Sequence, residues 1–261
     1  MGKTVLIVND DGIASPGLRA VAEAMTGIGR VVVVAPAMQQ SGVGRSISLF
    51  SPVSIFKSDA TTEAYAIAGT PADGVIIGIY GILKATPDLL ISGINIGENM
   101  SSEATTSGTV GAALEGASQG APSIAVSMHT GREFRFDEPG KKLDFSLCKV
   151  ITRKLADHVL KVGMPKGVDL LNVNVPEDMR KPMVRITRLA RRMYTTRVQE
   201  RLDPRGRSYF WIDGDAIYEA KKGTDVHAVR IENCVSITPM KLDLTSMESF
   251  KEVMELEKLL R

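Results

Sequence analysis

The sequence predicts an α/β protein, a largely parallel sheet covered by helices on both faces. Three observations carry that prediction. Residues 5–8, 31–34 and 89–91 are short apolar runs without polar alternation, the pattern of strands buried on both faces. Each run gives way to a polar, glycine-bearing stretch, at Asn9-Asp10-Asp11-Gly12, at residues 39–46 and at residues 92–99. Helix starts recur between the runs, at Ser15-Pro16, Thr70-Pro71 and Ser107-Gly108-Thr109, where a hydroxyl residue is set to cap and proline suits the first helical position.

Taken in order, the first strand covers residues 4–8 and the first helix runs from Pro16 to about Met25. The second strand ends at Ala35-Pro36. Residues 47–50, 53–56 and 65–68 are brief apolar pieces split by Ser, Pro and Asp, which reads as a small antiparallel β excursion. Thr70 caps a helix through about Gly81, with Asp73 in its first turn, where a carboxylate suits the helix dipole. The third buried strand follows at residues 89–91.

Small residues from Val110 to Ala117 form a helix able to pack closely on the sheet, and its N-terminus offers free N–H groups. A further strand spans residues 123–128, with His129 just past its end as a loop residue. Residues 144–162 have helical periodicity, with His158 beside the apolar stripe in a structural position. Residues 170–175 alternate as a strand closed by Pro176. Residues 194–218 read as a β-hairpin bearing Tyr209, Phe210 and Trp211, and residues 223–229 lead to a strand at 235–238. The tail closes as an amphipathic helix with Thr245 and Glu248 as a capping box. Projecting hairpin and tail have little core of their own to cover, so both are expected to dock on a neighbouring subunit.

A chain of 261 residues with 32 basic and 30 acidic residues, net charge +2, does not suggest a partner for a nucleic-acid polymer. The arginines crowded between Lys181 and Arg207, with Glu200 and Asp203 the acidic residues among them, read as a solvated or subunit-facing surface. Cys148 and Cys234 stand far apart without a Cys-x-x-Cys pair, and no secretory or membrane-spanning stretch is evident, so a cytoplasmic chain with reduced thiols and no membrane partner is expected. Three scattered histidines disfavour zinc, leaving a hard, oxygen-bound cation.

Adjacent carboxylates repel unless one takes a proton or a cation sits between them. Asp10 and Asp11 end the first strand, Ser41 follows the second and Asn95 the third. Two carboxylates, a hydroxyl and an amide make an all-oxygen set for magnesium, manganese or calcium, with positions left for water and substrate. The loop at residues 41–46, including Gly42, and the helix start at residues 107–109 supply N–H groups and hydroxyls for a phosphate beside that ion. Phosphoester hydrolysis is the economical chemistry, because it asks for charge neutralisation and positioned water more than for an activated protein nucleophile. An aspartyl-phosphate route normally wants Asp-x-Asp, which the adjacent pair fits poorly. A nucleotide-binding module without turnover is the alternative from another class.

Six motifs in order, VLIVNDDG, APAMQQSGVGRSIS, GTPADGV, PDLLISGINIGEN, SGTVGAALEG and GTDVHAV followed by VSITP, resemble the survival protein SurE family of nucleotidases over nearly the whole chain. The resemblance implies a Rossmann-like three-layer α/β/α core at residues 1–190, with the hairpin and C-terminal helix at residues 191–261 as oligomerisation elements of the same domain. It implies a phosphatase dependent on one divalent cation per subunit, magnesium or manganese. The substrates it implies are nucleoside 5′- and 3′-monophosphates and sometimes short polyphosphate, the last an alternative activity as an exopolyphosphatase.

The same resemblance makes Asp10, Asp11, Ser41 and Asn95 the metal ligands, the first two also catalytic. By position, Asn9, Ser41, Gly42, Ser107, Gly108 and Thr109 become phosphate-binding residues, and Asp225 and His227 stand within reach of the site. It further implies subunits that exchange C-terminal elements in a homodimer or homotetramer. Where the family often continues its glycine loop with glycine and places an aromatic before Ser-Gly-Thr, this chain has Met100 and Thr106.

Overall fold

The computed structural model describes residues 2–58, 63–130, 143–177, 179 and 182–260. Strand β1 (Lys3–Val8) lies inside the sheet, and its alternation sends Val5 and Ile7 into one core and Leu6 and Val8 into the other. All four are completely buried, which is why the run carries no polar alternation. Its parallel neighbours are β2 (Gly29–Pro36) and β5 (Leu89–Ile96). Beyond β5 lie β6 (Ser123–His129) and β7 (Leu170–Pro176), both parallel. Beyond β2 lies β4 (Glu63–Ile67), also parallel.

Helices cover both faces. On one side α1 (Pro16–Ala24) packs beside α4 (Ser146–Val162), sharing a core that contains Leu18, Val21, Ile151 and Val159. On the other side α2 (Pro71–Ile76), its π-helical continuation Ile77–Leu83, and α3 (Gly108–Ser118) share a core with Val75, Ile79, Val110 and Ala113. The three-layer α/β/α architecture is therefore present. Ser15 stands at the cap of α1, but its side chain makes no capping bond. A cap is worth about 1 kcal/mol, whereas each buried Leu or Val contributes about 1.5–3 kcal/mol, so packing of Leu18 and Val21 sustains the helix without it. Thr70 and Asp73 close a complete capping box on α2.

The antiparallel excursion itself is present, as β3 (Ile55–Lys57) paired antiparallel with β4 at the edge of the main sheet, ordered β3-β4-β2-β1-β5-β6-β7 and onward. Several expectations need correction. Residues 47–50 form no strand, because Ser48 gives its N–H and hydroxyl to Asp73 and ties that stretch to the start of α2. Strand β5 extends five residues further than residues 89–91 and carries Asn95 within it, with an irregular register against β6. Strand β7 is buried along its whole length rather than alternating.

The C-terminal stretch divides in two. Strand β8 (Val184–Ile186), unforeseen in the sequence, pairs parallel with β11 (Val235–Met240), and β11 pairs antiparallel with β7. Residues after 190 thus return to complete the main sheet. The hairpin β9 (Arg197–Leu202) and β10 (Ser208–Asp213) forms a sheet of its own. The terminal helix is two short pieces, α5 (Phe250–Met254) and α6 (Leu256–Leu259), without a buried residue. The Thr245–Glu248 box does not form: Thr245 N–H donates to Asp243 and Ser249 occupies the cap position without a side-chain bond.

Lys181 lies outside the described residues. The arginines after it find acidic partners well beyond Glu200 and Asp203, Arg185 on Glu232 at 2.7 Å and Arg197 on Asp213 at 3.2 Å. Among the described residues no helix is long and apolar enough to cross a membrane.

Candidate functional site

The site forms where β1, β5 and the N-terminus of α3 meet. Asp10 is 5% exposed, its carboxylate accepts the Thr109 hydroxyl, and its backbone carbonyl accepts the Gln40 N–H at 2.7 Å. Asp11 accepts the Ile96 N–H at 3.0 Å. One carboxylate is thus tied to α3 through Thr109 and the other to β5 through Ile96; Gln40, which holds the Asp10 backbone carbonyl, and Ile96 are the immediate neighbours of Ser41 and Asn95.

Ser41 and Asn95 are held in their own ways. The Ser41 hydroxyl accepts from Gln39 Nε2 at 3.0 Å on an exposed turn, where Gly42 has φ +75°. The loop is anchored to α3 by Arg45 Nε donating to the buried Glu115 at 2.7 Å, and to the turn just before α3 by Gly44 N–H donating to Thr106 O at 2.9 Å. Asn95 gives Nδ2 to Gly97 O at 2.8 Å. Asn9 gives Nδ2 to Gly12 O at 3.1 Å, while its Oδ1 is buried with no partner among the described residues.

Gly108 explains how α3 closes on the acidic pair. A Cβ at this position would stand 2.7 Å from Asp10 Cβ and 2.8 Å from its Oδ2, so the helix start approaches the carboxylate only because no side chain intervenes. Ser107 caps the helix by accepting the Val110 N–H at 3.1 Å. The Gly108-Thr109 pair therefore faces Asp10 directly.

Burial dominates the electrostatics. It raises the Asp10 pKa against the hydrogen bonds from Thr109 and the backbone, which favour the charged form. Asp11 is pushed up to about 7, first by burial and then by the charge of Asp10, with the Ile96 N–H opposing. Two adjacent carboxylates held in this way are short of positive charge, the condition that a cation relieves. Among the described residues no three His, Cys, Asp or Glu side chains gather as a metal site. The candidate set has only two such groups and is completed by hydroxyl and amide oxygens. An orphaned buried Asn9 Oδ1, two desolvated carboxylates and a donor set made wholly of oxygen fit a hard divalent ion.

Asp225 and His227 do not join these carboxylates. Asp225 is buried and accepts N–H groups from Ser101 at 2.7 Å, Ala190 at 2.8 Å and Val226 at 2.8 Å, stapling the loop after β5 to the C-terminal half. Burial raises its pKa all the same. His227 Nδ1 lies 3.6 Å from Glu232. Met100 is fully buried in a small core with Met193 and Val226.

The sequence reading missed a second polar group beside the site. Glu98 Oε2 lies 2.8 Å from His129 Nδ1, and Oε1 accepts from Arg230 Nη2 at 2.7 Å and from the Tyr194 hydroxyl. His129 is the last residue of β6 and a partner in this group, not a loop residue. The available signals were a glutamate inside a glycine loop and an arginine inside the apolar segment His227–Ile231.

The fold and this edge define a class, three-layer α/β enzymes of Rossmann-like architecture whose functional groups gather at the carboxyl ends of parallel strands. A family model described as "Survival protein SurE" matches residues 5–196. A "5'-nucleotidase SurE" of Methanocella arvoryzae is 53% identical over 263 residues, covering 98% of this chain and 97% of that one. A protein of the same description from Methanosarcina acetivorans is 51% identical over 259 residues, covering 97% of each. The crystal structure of the SurE protein from Aquifex aeolicus superposes with a TM-score of 0.82 at 38% identity, covering 97% of this chain and 99% of that one. The chain belongs to the SurE family and is a hydrolase.

Proposed function

We propose that the chain hydrolyses nucleoside 5′-monophosphates, and 3′-monophosphates as well, to nucleoside and phosphate at a single divalent cation, magnesium or manganese. Asp10, Asp11, Ser41 and Asn95 would hold the ion. The observation that carries the reading is the adjacent carboxylate pair, Asp10 buried and Asp11 half-buried, with Thr109 of α3 on one carboxylate and the Ile96 N–H of β5 on the other. The nucleotide substrate rests on the similarity to the 5′-nucleotidases of Methanocella arvoryzae and Methanosarcina acetivorans.

When bound, the ion supplies charge neutralisation and polarises a phosphate oxygen and a water. The chain's own residues do the rest. Asp10 and Asp11 orient the attacking water by accepting its hydrogen bonds. Gly108 and Thr109 at the start of α3, with Ser107 and Gly42, receive the equatorial phosphate oxygens through N–H and hydroxyl donors, and Asn9 borders the same pocket. In-line positioning by these fixed groups supplies most of the rate, since phosphoryl transfer asks little covalent chemistry of the protein.

The exposed hairpin and tail support association into a homodimer or homotetramer, through residues 191–261 acting as assembly elements of the same domain. The experiment is phosphate release from AMP and GMP with and without EDTA. Multiple turnover that stops on chelation and returns with manganese or magnesium is the expected result. Turnover indifferent to EDTA removes the cation from the reading, and nucleotide retention without phosphate release makes the chain a binding module.

A further inference from the structure

Arg230 and Glu98 form a charge pair in which each side chain is only 1% exposed. Such a pair is weak evidence of stability, because desolvation offsets much of the attraction. Arg230 Nε is moreover buried with no partner among the described residues. What the pair holds in place is therefore the informative point.

The guanidinium joins three separate stretches of chain. Nη1 donates to Met193 O at 2.6 Å and to Ile217 O at 3.0 Å, and Nη2 donates to Glu98 at 2.7 Å. Met193 and Ile217 are the two sides of the stem of the β9–β10 hairpin, bonded to each other through the Ile217 N–H at 2.9 Å. The Tyr194 ring packs against the guanidinium at 4.8 Å, and its hydroxyl donates to Glu98. Glu98 in turn belongs to the turn that fixes Asn95: Asn95 Nδ2 donates to Gly97 O at 2.8 Å, and Gly97 N–H donates to Met128 O at 2.9 Å. The Asn95 amide, the Gly97 carbonyl and the Glu98 carboxylate thus form one unit, clamped by Arg230 to the hairpin stem.

We propose that Arg230 is a positioning residue for the cation site: through Glu98 it holds the turn that carries Asn95, and it thereby couples the hairpin stem to the affinity for the ion. The proposal rests on the reading of Asn95 as a ligand. Partners of this indirect kind typically cost about 10–100-fold in metal affinity when removed.

The test is Mn²⁺ binding to the metal-free full-length protein, read directly by electron paramagnetic resonance, alongside the Mn²⁺ dependence of phosphate release. Arg230→Met is expected to weaken Mn²⁺ binding by about 10–100-fold, with the lost activity largely restored at saturating Mn²⁺. Arg230→Lys, which keeps a cation opposite Glu98, is expected to recover part of the affinity. If Arg230→Met does not fold, Tyr194→Phe provides the reading, since it removes one hydrogen bond to Glu98 and keeps the ring; a smaller weakening in the same direction is expected. An unchanged Mn²⁺ affinity in a folded variant, with only the melting temperature lowered, overturns the proposal. Asn95→Ala separates the two readings: if it weakens Mn²⁺ binding and the Arg230 and Tyr194 variants do not, the coupling alone fails. If the parent binds no Mn²⁺, the cation reading and the coupling fall together.

Discussion

Two regions of this molecule depart from the usual sorting of residues in opposite senses. At the carboxyl edge of the sheet charges are buried, with Asp10, Glu98, Asp225 and Arg230 all shielded from water. In the hairpin and tail apolar groups are exposed, with Phe210 64%, Trp211 55%, Ile212 79% and Leu260 88% accessible. Every buried charge has a partner within the chain or in the proposed ion, because an isolated one would be too costly. The exposed apolar side chains stay largely uncovered among the described residues, and a patch of that kind is the type of surface that association can cover. The first region suits the chemistry proposed above and the second the proposed association.

The largest effect that would sharpen this contrast lies at the acidic pair. Asp11→Asn keeps the size and the Ile96 contact but removes a charge. It is expected to lower phosphate release by about a hundredfold or more, comparable to losing a preorganised electrostatic group, with an unchanged circular dichroism spectrum. Retained activity would show that burial of this carboxylate has nothing to do with turnover.

Next comes Gly108→Ala. The added Cβ meets Asp10 at 2.7 Å, and overpacking of this sort costs about 1–3 kcal/mol. Thermal unfolding should register that loss, and phosphate release should fall with it as α3 is pushed from the carboxylate. An active, equally stable variant would mean that α3 has room to retreat without consequence.

In the second region, Trp211→Ser combined with Phe210→Ser should leave the subunit fold nearly as stable, within about 0.5 kcal/mol as for surface changes generally. Sedimentation velocity is expected to show a smaller assembly than the parent. A parent that is monomeric at micromolar concentration would break the comparison outright.

The smallest effect concerns pH. Burial, and then the charge of Asp10, holds the Asp11 carboxyl up at about 7 in the folded state, well above the ordinary carboxylate range. A raised folded pKa gives stability that is complete below the unfolded pKa and lost as pH rises through the folded one. The metal-free protein should therefore melt a few degrees lower at pH 8 than at pH 5, and Asp11→Asn should reduce that difference. Buried Asp10 shifts in the same direction and preserves part of the slope.

Much of the fold was legible along the chain, for physical reasons visible in particular residues. The uniform apolar run at residues 5–8 could only suit a strand covered on both faces, and Thr70-Pro71 with Asp73 could only start a helix economically. The acidic pair announced itself by following an apolar strand without a break. Harder to read were elements whose stability comes from distant partners. Strand β8 has all three residues exposed and exists because β11 lies beside it. Ser48 left the extended state for Asp73, twenty-five residues away. Glu98 and Arg230 are separated by 132 positions, and neither side chain carries any mark of the other in its local pattern.

By itself, the order of residues determined the buried parallel strands, the helix starts of the core and the stretches where polar atoms end those strands, because hydrophobic burial and local capping act over a few neighbours. Only the tertiary structure decided which of those polar atoms touch: Thr109 on Asp10, the Ile96 N–H on Asp11, and the hairpin stem on the turn of Asn95 through Arg230. Those contacts depend on strand order and register, which arise when the whole sheet packs and which no short segment specifies.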